Sequence, residues 1–152
     1  MRSIPRSLNV ITMTSVFDTL LKTKELEIFA TALQIADLDR TLNIAGEFTI
    51  FAPNNRAFTS LPKLVLQKLS QNSHLLTRLL SLHIIHGKLK HEDLLKMYDA
   101  GKRKVDRTSI NGVRLEIDLN NGIKIENSTV LSVDISADNG IIYPIDRVIS
   151  KE

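Results

Sequence analysis

A change of hydrophobic period midway along the chain constrains its fold more than any other feature. In the first half, apolar residues recur at helical spacing, as in the stripe formed by Val16, Phe17 and Leu20. In the second half the period shortens to two, and apolar residues alternate with charged ones from Val113 to Leu119. That alternation is typical of a half-buried strand. Helices first and antiparallel strands later predict an α+β domain rather than an alternating α/β fold.

The same patterns predict several further helices and one early strand. Thr14 or Ser15 is placed to cap the first helix. Ser73 is placed to cap a longer helix that has His83 on its inner face and stops by Gly87. The early strand covers Phe48 to Phe51. The other predicted helices run over Ile28 to Ala36, Leu38 to Leu42, Leu61 to Leu69 and His91 to Tyr98.

Three Asn-Gly pairs predict the turns between the later strands, because Asn-Gly readily adopts the backbone angles of tight hairpin turns. The alternation from Leu131 to Ile135 predicts one more strand. In the last strand Ile141, Tyr143 and Ile145 share one face. Pro144 has no N–H, so we expect that strand to be an edge, or bulged, at the proline. The three pairs are Asn111-Gly112, Asn121-Gly122 and Asn139-Gly140.

Composition excludes several classes of function. The chain has 152 residues, no cysteine and a formal net charge of +3. Without cysteine it has no disulfide, thiolate zinc site, iron–sulfur cluster or cysteine nucleophile. The weak charge and the 5% aromatic content argue against nucleic acid as a partner. The length suits one domain, which we place at residues 15–150, after a poorly ordered leader at residues 1–14.

The sequence contains no recognisable catalytic motif. Its glycines are not clustered as a phosphate-binding loop requires, and Gly-x-Ser-x-Gly is absent. His83 and His86 are close enough in sequence to face one metal ion. However, His83 lies on an apolar stripe, where an imidazole hydrogen-bonded inside the core is the simpler interpretation. We therefore expect no catalysis, no metal and no cofactor.

Three segments, taken in order, resemble the fasciclin-like domain family. They run from Phe48 to Phe58, from Leu79 to Gly87 and from Asp134 to Ile149, so that the resemblance covers the chain from about Ser15 onward. We interpret the residues shared with the family motifs as mainly structural, since strand ends, turns and core positions account for most of them. They are Thr49, Phe51, Ala52, Pro53, Asn55, Phe58, Gly87, Asn139, Gly140 and Asp146.

The resemblance implies an antiparallel β-wedge or sandwich of about seven strands, packed against the helices of the first half. It also implies a non-enzymatic cell-adhesion or protein-binding module, whose partner is a protein or another cell-surface macromolecule. By the resemblance, the partner-binding residues are His83, Asp134 and Ile135. The chain departs from the family pattern at Leu82, which replaces a tyrosine, and at Tyr143-Pro144, which replaces a His-Val pair.

A carrier of an apolar small molecule is the alternative, because some fasciclin-like proteins that resemble this chain bind carotenoids. The helical half is rich in Leu and Ile, and Met13 and Met97 are adaptable contacts for such a ligand. The resemblance implies an extracellular, periplasmic or cell-surface location. No signal peptide and no membrane-spanning run is visible, so the protein is expected in the cytoplasm if the chain is complete, or else a leader was removed.

Overall fold

Short polar caps begin several helices of the first half. In the computed structural model, which describes residues 15–43 and 46–150, the Ser15 hydroxyl accepts the N–H of Asp18 at 3.0 Å. Asn54 and Asn72 cap two later helices with their side-chain oxygens, so Asn72 takes the role expected of Ser73. The leader expected at residues 1–14 lies outside the described residues. The helices are α1 Val16–Lys22, α2 Glu27–Ile35, α3 Leu38–Asn43, α4 Asn55–Thr59, α5 Lys63–Gln71, α6 Ser73–Ser81 and α7 His91–Asp99, with a 3₁₀ turn at Lys24–Leu26.

The strands of the described chain form two four-stranded sheets. The first has the order β2-β1-β8-β7, and the second has the order β3-β4-β5-β6. The second sheet is antiparallel throughout, whereas β1 and β8 of the first run parallel. The α+β class is confirmed, with one parallel pair in a sheet that was expected to be antiparallel. The strands are β1 Phe48–Pro53, β2 Ile84–His86, β3 Lys104–Thr108, β4 Arg114–Asp118, β5 Lys124–Ile125, β6 Ser128–Thr129, β7 Ile135–Ala137 and β8 Gly140–Ile145.

All three Asn-Gly pairs lie at the predicted hairpins. Asn111-Gly112 lies between β3 and β4 and Asn121-Gly122 between β4 and β5, whereas Asn139 ends the turn after β7 and Gly140 begins β8, paired with Ala137. Gly112 and Gly122 have φ angles of +87° and +74°, which glycine adopts at little cost. The local turn signals are therefore confirmed.

The long helix predicted from Ser73 to Gly87 is wrong in its second part. Helix α6 ends at Ser81, and Ile84–His86 forms strand β2, paired with β1. Both Ile84 and Ile85 are buried. A pair of adjacent β-branched residues, buried on both faces, suits a strand inside the fold better than a one-sided helix.

The strand predicted from Leu131 to Ile135 is also largely wrong, since strand β7 only begins at Ile135. β7 pairs with β8 as far as Ile142. At Pro144 the carbonyl accepts the N–H of Leu131 at 2.9 Å, but proline offers no N–H in return, so a continuous ladder is not formed there. Strand β8 is central in the first sheet, so the edge expected at Pro144 is wrong, and pairing on the β7 side resumes in the bridge between Val130 and Ile145.

The first sheet lies between two apolar cores. On β1, the side chains of Phe48, Ile50 and Ala52 face the core built by the helices. Phe51 faces the opposite core, which is shared with the second sheet. The residues Ile141, Tyr143 and Ile145 of β8 lie together in that second core, as predicted. Among the described residues, no helix has the length and apolar character needed to cross a bilayer.

Candidate functional site

His83 lies inside the protein, in the turn between α6 and β2. It has no exposed surface. Its Nδ1–H donates to the carbonyl of Leu79 at 2.8 Å, and its Nε2 accepts the N–H of Ile149 at 2.9 Å. Burial removes the ring from water and lowers the pKa of His83 to about 4, although backbone hydrogen bonds oppose the shift. The imidazole is therefore neutral at physiological pH and ties the end of α6 to the C-terminal segment.

This geometry corrects the partner-contact role expected of His83 and agrees with the interpretation of a buried, hydrogen-bonded imidazole. The side chain offers no atom to a partner in this fold, so it is a positioning residue of the core rather than a contact residue. Because both ring nitrogens are engaged by the backbone, it does not bind a metal ion together with His86. Within residues 15–43 and 46–150, no three His, Asp or Glu side chains are grouped as a metal site requires.

Asp134 and Ile135 lie at the edge of the first sheet, at the start of β7. The Asp134 carboxylate accepts the N–H of His91 at 2.9 Å, which is the first residue of α7. An acidic group at a helix start satisfies a free N–H and complements the helix dipole. Ile135 is half-buried and packs against the helical core. Since β2 and β7 form opposite edges of the first sheet, the structure does not bring His83 to the surface where this pair lies.

Two exposed apolar residues precede this pair and were missed from the sequence. Leu131 is 50% exposed and Val133 is 62% exposed, although their alternation predicted a half-buried strand. The segment is held at both ends, by the Leu131 N–H on Pro144 and by Asp134 on α7. We call residues 131–135 the β7 entry segment. It presents aliphatic side chains on a backbone that is anchored to two elements of the fold.

Two asparagines of the family motifs hold distant parts of the chain together. The Asn139 side chain accepts the N–H of Val16 at 2.6 Å and donates to the carbonyl of Leu42 at 2.7 Å. The Asn55 side chain accepts the N–H of Ile28 and donates to the carbonyl of Lys24, both at 3.0 Å. Each amide satisfies one backbone donor and one backbone acceptor, because a carboxamide carries both an N–H donor group and a carbonyl acceptor.

Thr49 performs a similar task in the middle of β1. Its hydroxyl donates to the carbonyl of Gly87 at 2.6 Å and accepts the N–H of Leu89 at 2.8 Å. The Tyr143 hydroxyl donates to the carbonyl of Leu89 at 2.6 Å. Burial, together with the charges of two nearby aspartates, raises the pKa of Tyr143. The loop between β2 and α7 is therefore fixed by two buried hydroxyl groups.

The other motif residues lie in turns or in the cores. Asp146 accepts the N–H of Thr129 at 2.8 Å and joins the C-terminal segment to β6. Phe51 stacks on Tyr143 with ring centres 5.5 Å apart, and Phe58 lies 6.2 Å from Phe29. Ala52 and Pro53 are buried in β1. These contacts agree with the interpretation that the motifs mainly specify the fold.

An apolar groove runs between α7 and the turn from β4 to β5. Its volume is about 250 Å³. The Nδ1 atom of His91, at one end, has no hydrogen-bond partner among the described residues. Met97, expected as a ligand contact, instead packs against the second core, and Met13 lies outside the described residues. The groove is lined by His91, Leu94, Leu95, Tyr98, Leu119, Asn120, Gly122 and Ile123.

The chain is similar in sequence to a protein family and to several known proteins. The family model described as Fasciclin domain matches residues 24–151. A Synechocystis protein, named only as uncharacterized protein sll1735, is 40% identical over 119 residues, which are 78% of this chain and 84% of the relative. Rabbit (Oryctolagus cuniculus) transforming growth factor-beta-induced protein ig-h3 is 33% identical over 136 residues, which are 89% of this chain and 19% of that protein.

Solved structures agree on the fold. A FAS1 domain pair from the insect cell adhesion molecule Fasciclin I superposes with a TM-score of 0.69 at 18% sequence identity. The superposition covers 91% of this chain and 51% of that chain. The chain thus corresponds to one part of these longer proteins and to most of the cyanobacterial one. The family match over most of its length shows that the chain belongs to the fasciclin domain family.

Proposed function

We propose that this chain is a non-catalytic binding module that attaches to a protein or another macromolecule at a cell surface. The observation that carries the proposal is the β7 entry segment, where Leu131 and Val133 are exposed on an anchored backbone. Clustered aliphatic side chains on a surface mark interaction sites more often than single ones do. The cell-adhesion role named for the insect protein of the same fold supports the same class of function.

Asp134 has two tasks in this proposal. One carboxylate oxygen holds α7 through the N–H of His91, and the negative charge of the group faces a partner at the rim of the surface. Ile135 adds the apolar area that its half-buried side chain leaves accessible. His83 contributes only through the core, by holding the turn before β2.

The test is attachment of cells to surfaces coated with the folded protein and its variants. Leu131→Gln combined with Val133→Gln is expected to reduce attachment at least about tenfold, since two exposed aliphatic contacts are lost. Ile35→Gln is the matched control, because Ile35 is 68% exposed on α2 and is not part of the β7 entry segment. Equal attachment by the double variant and the wild type would contradict the proposed surface.

A second comparison separates the two tasks of Asp134. Asp134→Asn keeps an oxygen for the His91 N–H but removes the charge, whereas Asp134→Ala removes both. If the charge contacts the partner, Asp134→Asn and Asp134→Ala both reduce attachment. If the residue only anchors α7, Asp134→Asn attaches like the wild type and Asp134→Ala alone loses thermal stability.

We propose an extracellular or surface location for the protein, on the strength of the adhesion role named for the insect structure. Labelling of intact host cells with a membrane-impermeant lysine reagent tests this location. Exposed lysines such as Lys68 and Lys124 are expected to react without lysis. Labelling only after lysis would contradict the location.

The carrier of an apolar small molecule is a second candidate, favoured by the groove along α7. Its volume of about 250 Å³ is below the roughly 300–1,000 Å³ of drug-sized ligand sites. The groove therefore suits a short apolar ligand better than a long polyene such as a carotenoid. Mass spectrometry of an organic extract of the protein purified from its native host tests this candidate, because a bound short apolar ligand is recovered in the extract. An extract that contains no such molecule would contradict it.

A further inference from the structure

A long stretch of the chain contains no acidic residue. From Phe48 to His91 there are six Lys and Arg residues and neither Asp nor Glu. The whole chain carries +3, so the rest of it is net negative. The positive charge is thus concentrated in the part of the protein that contains α4, α5, α6 and β2.

Helices α5 and α6 combine this charge with exposed leucines. On α5, Leu64 is 71% exposed, and Lys68 lies one helical turn further on the same face. On α6, Leu75 is 37% exposed, and Arg78 lies three residues further. We define the α5–α6 surface as the exposed residues Lys63, Leu64, Lys68, His74, Leu75 and Arg78.

These cations are not neutralised within the part of the chain that the structure describes. The ion pairs found there join Lys88 with Glu47, Lys104 with Glu116, and Arg114 with Asp106. None of them includes a residue of the α5–α6 surface. A helix elsewhere offers a contrast, because the exposed Leu95 and Lys96 of α7 share their helix with Glu92, Asp93 and Asp99.

We propose that the α5–α6 surface docks on an anionic lipid bilayer. Exposed leucines enter the boundary between headgroups and acyl chains, while neighbouring Lys and Arg side chains extend to lipid phosphates. An acid-free cationic surface is complementary to an anionic leaflet, which attracts each basic residue independently. The residues from Lys63 to Ser81 include no Phe, Tyr or Trp, so the surface lacks the rings on which nucleic acid bases stack.

This surface differs from the β7 entry segment, so membrane docking and partner binding are separable. The α5–α6 surface and the β7 entry segment share no residue, so variants of one leave the side chains of the other unchanged. The protein then attaches to a lipid surface by one face and presents another to its macromolecular partner.

Vesicle co-sedimentation of the full chain tests the proposal. The vesicles are an equimolar mixture of phosphatidylserine and phosphatidylcholine, compared with phosphatidylcholine alone. The protein is expected to bind the mixed vesicles and to be released by salt. Each removed cation is expected to lower the partition coefficient about fivefold, so Lys68→Gln with Arg78→Gln lowers it about 25-fold. Leu64→Gln with Leu75→Gln lowers it about tenfold.

The matched control is Leu95→Gln with Lys96→Gln on α7, which removes one exposed leucine and one cation outside the α5–α6 surface. This variant is expected to bind the mixed vesicles almost as the wild type does. Equal binding to both kinds of vesicle, or losses by the control as large as those of the α5–α6 variants, would overturn the proposal. Binding to polyglutamate but not to mixed vesicles would overturn it in favour of an acidic protein partner. Circular dichroism confirms that each variant is folded.

Discussion

Replacing Thr49 by valine is expected to destabilise the domain more than its small change in shape suggests. Thr49 is fully buried, and its hydroxyl donates to the Gly87 carbonyl and accepts the Leu89 N–H. Valine has nearly the same volume but leaves both backbone groups without their partner. A buried polar group left unpaired costs about 1–3 kcal/mol, and the Leu89 N–H is in the buried part of this network. We therefore expect Thr49→Val to lower the free energy of unfolding by about 2–4 kcal/mol.

Thr49→Ser is the matched control for this prediction. Serine keeps the hydroxyl and both hydrogen bonds but loses one methyl group, at a cost of about 1 kcal/mol. The free energy of unfolding is measured by urea denaturation, and Tm for the valine variant is expected to fall by roughly 5–12 °C. If Thr49→Val proves as stable as Thr49→Ser, or more stable, then the two hydrogen bonds do not stabilise the loop between β2 and α7 as we infer.

Two further predictions concern the core. Gly140→Ala is expected to lower the free energy of unfolding by about 1–3 kcal/mol, because an added Cβ would lie 2.5 Å from the Phe48 carbonyl oxygen. Urea denaturation measures this loss, and a variant as stable as the wild type would contradict the close approach. Burial lowers the pKa of His83 from its ordinary value of 6.5 to about 4 in the folded protein. The unfolded chain therefore binds the proton first as the pH falls. Stability from this group is complete above pH 6.5, falls between pH 6.5 and pH 4, and the loss is about 3 kcal/mol. Urea denaturation at several pH values in that range gives the free energy of unfolding of the wild type and of His83→Gln. The wild type is expected to lose this stability as the pH falls and the variant is not, so an identical pH dependence of the two proteins would refute the prediction.

The features that sequence analysis predicted correctly depend on neighbours in the chain. The three Asn-Gly turns, the alternation from Arg114 to Asp118 and the helical stripe from Val16 to Leu20 each require only a few adjacent residues. Local conformational preference and the pattern of burial determine them together. The three family motifs added the resemblance to the fasciclin-like fold, since in that family the same helices and strands follow one another in a known order.

The features that were missed depend on residues far apart in sequence. The end of α6 at Ser81 follows from the pairing of Ile84 with Ile50 on β1. The exposed Val133 lies in the stretch between the bridge of Val130 to Ile145 and the pair of Ile135 with Ile142, two contacts with β8 that no local pattern specifies. A local pattern carries no information on which strand lies opposite.

The candidate site shows the same division. The apolar setting of His83 indicated a buried imidazole, and this interpretation is confirmed. The link from Asp134 to the N–H of His91 spans 43 positions in sequence, and no spacing rule connects the two. The apolar spacing from Leu61 to Leu69 predicted helix α5, but periodicity alone does not say which side of a helix is covered, so the exposure of Leu64 was not predicted.

The parallel pairing of β1 with β8 has a consequence for biosynthesis. β1 spans Phe48–Pro53 and β8 spans Gly140–Ile145, yet they are central neighbours in the first sheet. The helices α1 to α7 of the described residues are all synthesised before β8, so one side of β1 stays unpaired until β8 appears. Pairing over so large a sequence separation closes slowly, and an unpaired strand is open to association with other chains meanwhile. Strand β8 is thus synthesised after every other strand of the first sheet, and its pairing completes that sheet.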